Sequence, residues 1–531
     1  MVTLLHPGVY VSEVPGGVRS IEGAPTSTTI FVGETERGPL GPTKITSRAD
    51  YERLFGGYFR VRESSPPDTS TTRLLTAYAM DAFYANGGST AYMVRAMDEA
   101  DTAKASRRGG TIVASSPGVW GDSVAVAFLK ASGSDPQRFK IAVVYEAPGA
   151  GSERKIIEVW DRLSIKPGDE NYVVDVLARS AFIRWNTDDV PPATVPAADA
   201  LGSPVTATPT EDDIVNGATS LTGGTGGGGD LNPADYGDIL SEQLAGIDDA
   251  ALLVATCDAF VGTDESVYTS LVGKFVDYAE GRPRQDLFFV GDLPRQHGSA
   301  TTTLAAEGAV SSFGELNASN FSGIYWPHAV VSDIVGVGRN PTTTLPPAAF
   351  VAGLFARTDG RRGVWKAPAG TDATLAFTVD LDYQLNDLHS DELNPVGINA
   401  LRTMPGAGRV VWGSRTMQPS SEWRYVSVRR TAIFLRTSIY NGIQWAVFEP
   451  NDEPLWSSLR ASIGGFMETQ FRRGAFAGRT RDDAYQVKVD ASTTTPIDQA
   501  AGVVNILVAF APLRPAEFVV VQLSQKTQPT G

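Results

Sequence analysis

The chain has 531 residues, 42% of them hydrophobic and 20% charged, and at about 150 residues per domain this length predicts three or four domains. Its 45 Lys and Arg residues against 60 Asp and Glu residues give a net charge of −15, which argues against a protein that coats nucleic acid or an anionic membrane surface. One cysteine excludes an intramolecular disulfide framework and a thiolate metal cluster, and four histidines leave little material for His-based metal or acid–base chemistry.

No apolar run reaches the ~18–20 residues of a membrane span, so we expect no membrane insertion. The start, Met1–Tyr10, has no basic region and is interrupted at Pro7 and Gly8, so it does not match a signal peptide. We therefore expect synthesis and folding in the cytoplasm.

The first predicted element is a short strand, Val9–Val14, between two Pro-Gly pairs. A strand of this length cannot pack on itself and must pair with another segment. We assign residues 1–25 to an N-terminal arm and residues 26–100 to the first part of a conserved core.

Residues 101–234 form a predicted β-rich insertion, which ends in a glycine-rich linker at 223–229. Its short strands are separated by Gly, Pro and charged turns: Val124–Leu129, Phe139–Tyr145, Lys155–Trp160 and Phe182–Trp185.

Strands and helices alternate over residues 235–393, with one predicted strand at Gly323–Val331, and this alternation predicts a layered α/β domain. Residues 394–511 are predicted to form an α+β domain, and residues 512–531 a C-terminal arm. In the α+β domain we predict a strand at Ile443–Phe448, an amphipathic helix at Leu455–Phe471, and strands at Tyr485–Val489 and Val503–Ala511. Asp452 is the expected N-cap of this helix, and Ser462 is expected off its apolar stripe. The stripe consists of Leu455, Trp456, Leu459, Ile463, Phe466, Met467 and Gln470. The fold class is therefore α/β and α+β multidomain.

An acidic segment is the best candidate for a metal or hydrolase site, because converged carboxylates bind divalent cations or transfer protons. Its residues are Asp380, Asp382, Asp387, His389, Asp391 and Glu392. The alternative is a polar loop, since the spacing matches no calcium loop. Cys257 follows a buried strand and is interpreted as a core residue. We predict no catalytic residue, no cofactor and no metal.

Each end of the chain carries a predicted isolated strand, which a catalytic function does not explain. Beyond Pro512 and Pro515 a last strand, Phe518–Leu523, is predicted, and the preceding strand is apolar on both faces, which indicates a buried, central strand. The terminal strands either complete their own sheet or add to a sheet in a neighbouring copy, which is β-augmentation. A head-to-tail link of this kind that does not close produces a helical array.

Several long motifs, in order, are similar to the contractile tail sheath family of phages and phage-tail-like injection systems. The motifs are PGVYVSEVPGG (7–17), FVGETERGP (31–39), SPGVWGDSVAV (116–126), PPAAFVAGLFARTDGRRGVWKAPAG (346–370), LNPVGINALR (393–402), YVSVRRTAIFLRTSIYNGIQWAVFEPNDEPLW (425–456) and APLRPAEFVVVQL (511–523). The resemblance covers residues 1–100 and 235–523.

This resemblance implies a structural subunit that stacks as hexameric rings around an inner tube and contracts when a baseplate triggers it. It implies partners: other copies of the chain, the inner tube protein, and baseplate and terminator or cap proteins. The insertion would face outward, and a helix of the C-terminal domain would face the tube. We expect a component of a virion tail or phage-tail-like particle, with no direct nucleic-acid partner.

Within this family reading we assign three sets of residues. The strand-exchange residues are Val9, Tyr10, Val11, Val14, Phe518, Val519, Val520 and Val521. The acceptor strand carries Val504, Ile506, Val508 and Phe510. The tube-facing helix carries Glu468, Arg472 and Arg473. Two other functions stay open: a non-contractile phage structural protein and an α/β hydrolase that uses the acidic segment.

Overall fold

The computed structural model describes residues 19–61, 71–97, 104–107, 111–148, 153–186, 194–199, 201, 209–225, 231–257, 265–296, 301–518 and 520. The chain separates into two compact units. The larger unit contains residues 26–361 and 367–426, and the described part of the smaller unit contains residues 19–25, 362–366 and 427–520.

Thirteen helices lie in the described residues: α1 Arg48–Phe55, α2 Leu75–Ala85, α3 Val173–Leu177, α4 Glu211–Gly217, α5 Pro233–Gln243, α6 Glu265–Gly281, α7 Thr302–Gly314, α8 Ala348–Arg362, α9 Asp387–Val396, α10 Val426–Gly442, α11 Glu453–Arg472, α12 Arg481–Ala484 and α13 Pro496–Ala500.

Twenty-two strands lie in the same residues: β1 Thr29–Gly33, β2 Thr43–Ile45, β3 Phe59–Val61, β4 Thr71–Arg73, β5 Ala91–Arg95, β6 Ser106–Arg107, β7 Ile112–Ala114, β8 Val124–Lys130, β9 Phe139–Tyr145, β10 Lys155–Leu163, β11 Ile183–Trp185, β12 Thr219–Ser220, β13 Leu252–Thr256, β14 Phe288–Asp292, β15 Ser322–Trp326, β16 Ala329–Ser332, β17 Thr342–Leu345, β18 Asp380–Leu381, β19 Ile398–Met404, β20 Gly408–Val411, β21 Tyr485–Lys488 and β22 Leu507–Phe510.

An eight-stranded sheet forms the centre of the larger unit, in the order β2-β5-β1-β13-β14-β15-β19-β20. The six inner strands are parallel, and β2 and β20 pair antiparallel at the two edges. Strands β1, β13, β14 and β15 are buried along their whole length, as expected for parallel strands covered on both faces. This arrangement agrees with the predicted α/β class.

The sheet also corrects one predicted boundary and one predicted strand. Strand β19 pairs with β15, which places residues 394–426 in the larger unit, so the C-terminal unit begins at residue 427 and not at 394. The predicted strand from Gly323 to Val331 is two strands, β15 and β16, which belong to different sheets. Both the boundary and the division into two strands depend on pairing between strands that are distant in the sequence, which local periodicity does not encode.

The insertion is β-rich, as predicted, and leaves the core after β5. Strands β10, β9, β8 and β12 form an antiparallel sheet, and β11, β7 and β6 form a second sheet. Their apolar faces share a core that includes Trp120, Phe128, Phe139 and Tyr145. Because this core is separate from the eight-stranded sheet, the insertion has a hydrophobic centre of its own.

Helix α11 begins after Asp452, as predicted, and the Asp452 carboxylate accepts a hydrogen bond from the Glu453 backbone N–H. Its predicted apolar stripe is buried: Leu455, Trp456, Leu459, Ile463, Phe466, Met467 and Gln470. Ser462, predicted to lie off the stripe, is buried as well. The predicted strand at Ile443–Phe448 is wrong, because Gln444–Ala446 forms a turn of 3₁₀-helix.

Candidate assembly surface

The N-terminal segment lies on the smaller unit. Ile21 belongs to the same buried cluster as Phe434, and the Ala24 backbone N–H donates to Ser438 Oγ at 2.9 Å. The Arg19 guanidinium lies 4.9 Å from the ring centre of Trp445. The first described residues of the chain therefore pack on the smaller unit. The predicted exchange residues Val9, Tyr10, Val11 and Val14 lie outside the described residues.

The predicted acceptor strand is shorter and more exposed than expected. Strand β22 pairs antiparallel with β21 and with no further strand in the described chain. The four acceptor residues, Val504, Ile506, Val508 and Phe510, are half-buried against the cores beside α11. On the other face Leu507 is 50% exposed, so the prediction of a strand buried on both faces is wrong for the isolated chain.

A two-stranded sheet is marginal by itself, and each outer edge presents backbone groups to which another strand can bond. Beyond Pro512, Phe518 and Val520 are both largely exposed, while Val519 and Val521 lie outside the described residues. In the described chain the β21–β22 sheet thus has edges without a paired strand, close to the segment that follows Pro512.

The predicted tube-facing residues do not form one uniform surface. Glu468 is mostly covered: its carboxylate binds Arg472 at 2.7 Å and Arg481 at 2.8 Å, and accepts from the Tyr485 hydroxyl at 3.1 Å. These hydrogen bonds, led by that from Arg472, lower the pKa of Glu468. Glu468 therefore ties the end of α11 to α12 and β21, whereas Arg472 and Arg473 are exposed.

The acidic segment does not converge into one site. Asp387 binds Arg402 at 2.8 Å, Asp382 binds Arg295 at 3.3 Å, and His389 accepts from the Asn386 backbone N–H and thereby caps α9. Asp380, Asp391 and Glu392 are exposed. Among the described residues no group of three His, Cys, Asp or Glu side chains could hold a metal ion. The alternative of a polar loop is also wrong, because Asp380 lies in β18 and Asp387, His389, Asp391 and Glu392 lie in α9.

The carboxyl groups of Asp292, at the end of β14, and of Asp382 are buried; sequence reasoning singled out Asp382 but not Asp292. Asp292 accepts a hydrogen bond from the Tyr268 hydroxyl and a long one, 3.4 Å, from the Ala348 backbone N–H. Burial raises the pKa of Asp292 to about 7, and burial also raises the pKa of Asp382 to about 6 despite its contact with Arg295.

Asp292→Asn should remove a pH dependence of stability. The Asp292 carboxyl group keeps its proton up to about pH 7 in the folded protein, whereas in the unfolded chain it loses the proton near pH 3.8. Unfolding between these pH values therefore releases a proton, so the free energy of unfolding falls as the pH rises. By linkage the variant should gain up to about 4 kcal/mol relative to the wild type between pH 4 and 8. Urea unfolding across this range measures the difference. The exposed Asp238→Asn is the matched control, and parallel curves for wild type and Asp292→Asn would contradict the assignment.

A buried joint connects the insertion to the core, and sequence reasoning missed it. It follows β1 in the segment Glu34–Arg37, where all four side chains are buried. Glu36 binds Arg37 at 2.7 Å, accepts from the Gly57 backbone N–H at 2.7 Å, and accepts from the Tyr145 hydroxyl of β9. The Arg37 guanidinium lies 4.3 Å from the ring centre of Phe182. Three charged residues between Gly33 and Gly38, directly after a buried strand, were the available signal.

A second buried arginine strengthens this joint. Arg95 ends β5 and donates to the carbonyl oxygens of Gly38 and Pro117, each at 3.0 Å. The Gly38 backbone N–H in turn donates to Ser116 Oγ at 3.0 Å. The insertion is therefore fixed to the carboxyl ends of β1 and β5 by charged and backbone hydrogen bonds.

None of the helices in the described ranges combines the length and the apolar character that crossing a membrane requires.

Two family models match consecutive parts of the chain. The phage tail sheath protein central domain matches residues 253–417, and the phage tail sheath C-terminal domain matches residues 418–526. Together they span just over half of the chain, and the junction between them lies close to the boundary between the two units.

Curated relatives are similar over part of their length. The tail sheath protein of Vibrio phage KVP40 is 33% identical over 125 residues, 23% of this chain and 19% of the relative. The tail sheath protein of Enterobacteria phage T4 is 28% identical over 154 residues, 29% of this chain and 22% of the relative. The alignments therefore span about a fifth of each of these two longer proteins.

The whole fold is similar to a solved sheath structure. The PVC sheath of an extracellular contractile injection system, in its contracted state, superposes with a TM-score of 0.57 at 20% identity and covers 99% of both chains. At this identity the likeness shows a shared fold.

Proposed function

Because the chain belongs to the phage tail sheath family, we propose that it is the structural subunit of a contractile sheath, which polymerises around an inner tube and shortens to drive that tube through a target envelope. The observation that carries the proposal is the pair of sheath-domain matches over residues 253–526. The fold shared with the PVC sheath along the whole chain supports it.

Contraction without a fuel requires an extended state that is kinetically trapped and a contracted state of lower free energy. The baseplate would lower the barrier, and the terminator or cap would end the polymer. The buried joint at Glu36 and Arg37 is suited to such a transition, because it lets the core and the insertion rotate as one body while the copies stay connected through their terminal segments.

The links between copies are the two terminal segments. We assign the donor strands to Val9, Tyr10, Val11 and Val14 at one end and to Phe518, Val519, Val520 and Val521 at the other, and the acceptor sheet to β21 and β22. The open edges of that sheet and the entry of the chain beside Trp445 support this assignment.

We assign the exposed end of α11 to the tube. Charge reversal at Arg472 and Arg473 should reduce retention of the tube by the sheath without preventing polymerisation, because both guanidinium groups are exposed and could pair with acidic groups on the tube. Co-sedimentation of tube with the sheath measures this effect. Lys at both positions is the charge-conserving control, and equal retention by the Glu and Lys variants would contradict the assignment.

Electron microscopy of purified particles tests the proposed function directly. A contractile sheath should occur in a long, narrow form and a short, wide form, with the tube protruding from the short one. Particles of one fixed length before and after triggering would favour the alternative, a non-contractile phage structural protein. An α/β hydrolase is not favoured by the family or by the dispersed acidic segment.

A further inference from the structure

Phe448 is the most exposed large apolar side chain in the described residues. Its relative exposure is 102%, and its neighbour Val447 is 58% exposed. Tyr440, near the end of α10, is 48% exposed. An aromatic ring that is fully hydrated in the isolated chain is typical of an interface anchor, because aromatic residues supply much of the binding energy at protein interfaces.

The backbone at Phe448 is strained. Its φ is +70°, in the left-handed region that bulky residues rarely adopt. Phe377 has a similar φ of +65°, but its ring stacks on Phe350 at 6.4 Å, which compensates the strain inside the fold. Within the described chain Phe448 stacks on no ring, and its side chain is fully exposed. Such outliers concentrate at functional sites.

The loop that carries Phe448 is held on both sides. On one side the Glu449 backbone N–H donates to the Ala446 carbonyl oxygen at 3.2 Å. On the other, Asn451 accepts from Trp456 Nε1 at 2.9 Å and donates to the Val503 carbonyl oxygen at 3.0 Å. The Gln499 side chain adds a bond of 2.6 Å to the Asn451 carbonyl oxygen. The ring is therefore presented by an ordered loop, which lowers the entropy lost on binding.

We propose that Phe448 is an anchor that inserts into an apolar recess of a second copy of this chain, an inference that rests on the proposed function. The occupant is a second copy because the loop is continuous with the proposed linking surface. Trp445 supports Arg19, where the N-terminal arm joins, and Asn451 binds Val503, which leads into β22. Contact between this loop and a different patch of the neighbour is heterologous, as a helical polymer requires.

The acidic flank of the loop defines the chemistry of the recess. Glu449 and Asp452 follow Phe448 in the sequence and are exposed, and Glu453 is exposed and contacts Arg460 at 3.3 Å. The recess on the second copy should therefore combine an apolar floor with an Arg or Lys rim.

The test compares the polymerisation of full-length variants by sedimentation and negative-stain microscopy. Phe448→Gly removes the ring and also relieves the left-handed backbone, so the subunit should keep or gain thermal stability. We expect it to raise the concentration needed for polymerisation about tenfold or more. Phe448→Trp should polymerise like the wild type. Ile497→Ala, which removes another exposed apolar side chain of the same unit, is the matched control and should also polymerise normally.

Photo-cross-linking identifies the partner. Benzoylphenylalanine at position 448 should give a covalent dimer of this chain when the polymer is irradiated. A covalent product with a different protein, or polymerisation of Phe448→Gly at the wild-type concentration, would overturn the inference. Failure of the wild-type chain to polymerise under all conditions would instead count against the proposed function, so the two failures are distinguishable.

Discussion

Removal of residues 1–16, or of everything after Pro512, should leave a folded subunit that no longer polymerises. Each terminal strand would add about five backbone hydrogen bonds to the β21–β22 sheet, which at ~0.5–1.5 kcal/mol each amounts to ~3–7 kcal/mol per link. Since every copy in the polymer would lose a link, we expect complete loss of tubes in negative-stain micrographs. Circular dichroism and thermal unfolding should show the subunit fold retained.

Matched variants separate strand pairing from chain length. Removing only the polar tail 524–531 should leave polymerisation unchanged, because the strand predicted before it remains. Val11→Pro should act like the N-terminal deletion, since proline removes a backbone donor from the strand, while Val11→Thr should assemble normally. Tubes of normal length and number from both truncated proteins would show that the terminal strands are not the links.

Arg37→Met should destabilise the larger unit by about 3–5 kcal/mol, because it leaves the buried Glu36 carboxylate without its cation. The pair is almost completely shielded from water, with side-chain exposures of 7% for Arg37 and 3% for Glu36. The loss also removes the bond from Arg37 Nη2 to the Glu52 carbonyl oxygen at 3.0 Å and the contact with the Phe182 ring. Guanidinium-induced unfolding measures the change.

The double variant Glu36→Gln with Arg37→Met is the control for this prediction. It removes both charges, so it should be more stable than Arg37→Met alone. Limited proteolysis should also cleave Arg37→Met faster in the insertion, because the joint that fixes it to the core is weakened. A change in unfolding free energy below about 1 kcal/mol for Arg37→Met would show that the pair does not hold the joint.

The spacing of apolar residues along the chain was enough to predict single strands and helices. The strand Phe139–Tyr145 was predicted with both of its bounds, because alternation between turn residues defines it. Helix α11 was predicted with its cap and its buried stripe. The parallel order of the sheet was not predictable, because pairs such as β15 with β19 join residues more than seventy positions apart.

The sites were less predictable than the elements. Nothing in the local sequence marks the charged residues Glu36, Arg37 and Asp292 as buried, because their burial depends on tertiary packing. Alternating apolar residues around Ile443–Phe448 favoured a strand, whereas the chain forms a 3₁₀ turn and then a left-handed residue. The assignment of the terminal arms to contacts between copies comes from the family resemblance and stays a prediction, because the residues in contact between copies depend on surfaces that one chain does not define.

Both described chain ends belong to the smaller unit, since residues 19–25 and 427–520 lie together in it. In a polymer joined through those ends, tension would pass from copy to copy through the smaller unit alone. The eight-stranded sheet and the insertion would carry none of this tension. Residues could therefore be added or changed there, in evolution or by engineered fusion, without weakening the mechanical connection along the sheath.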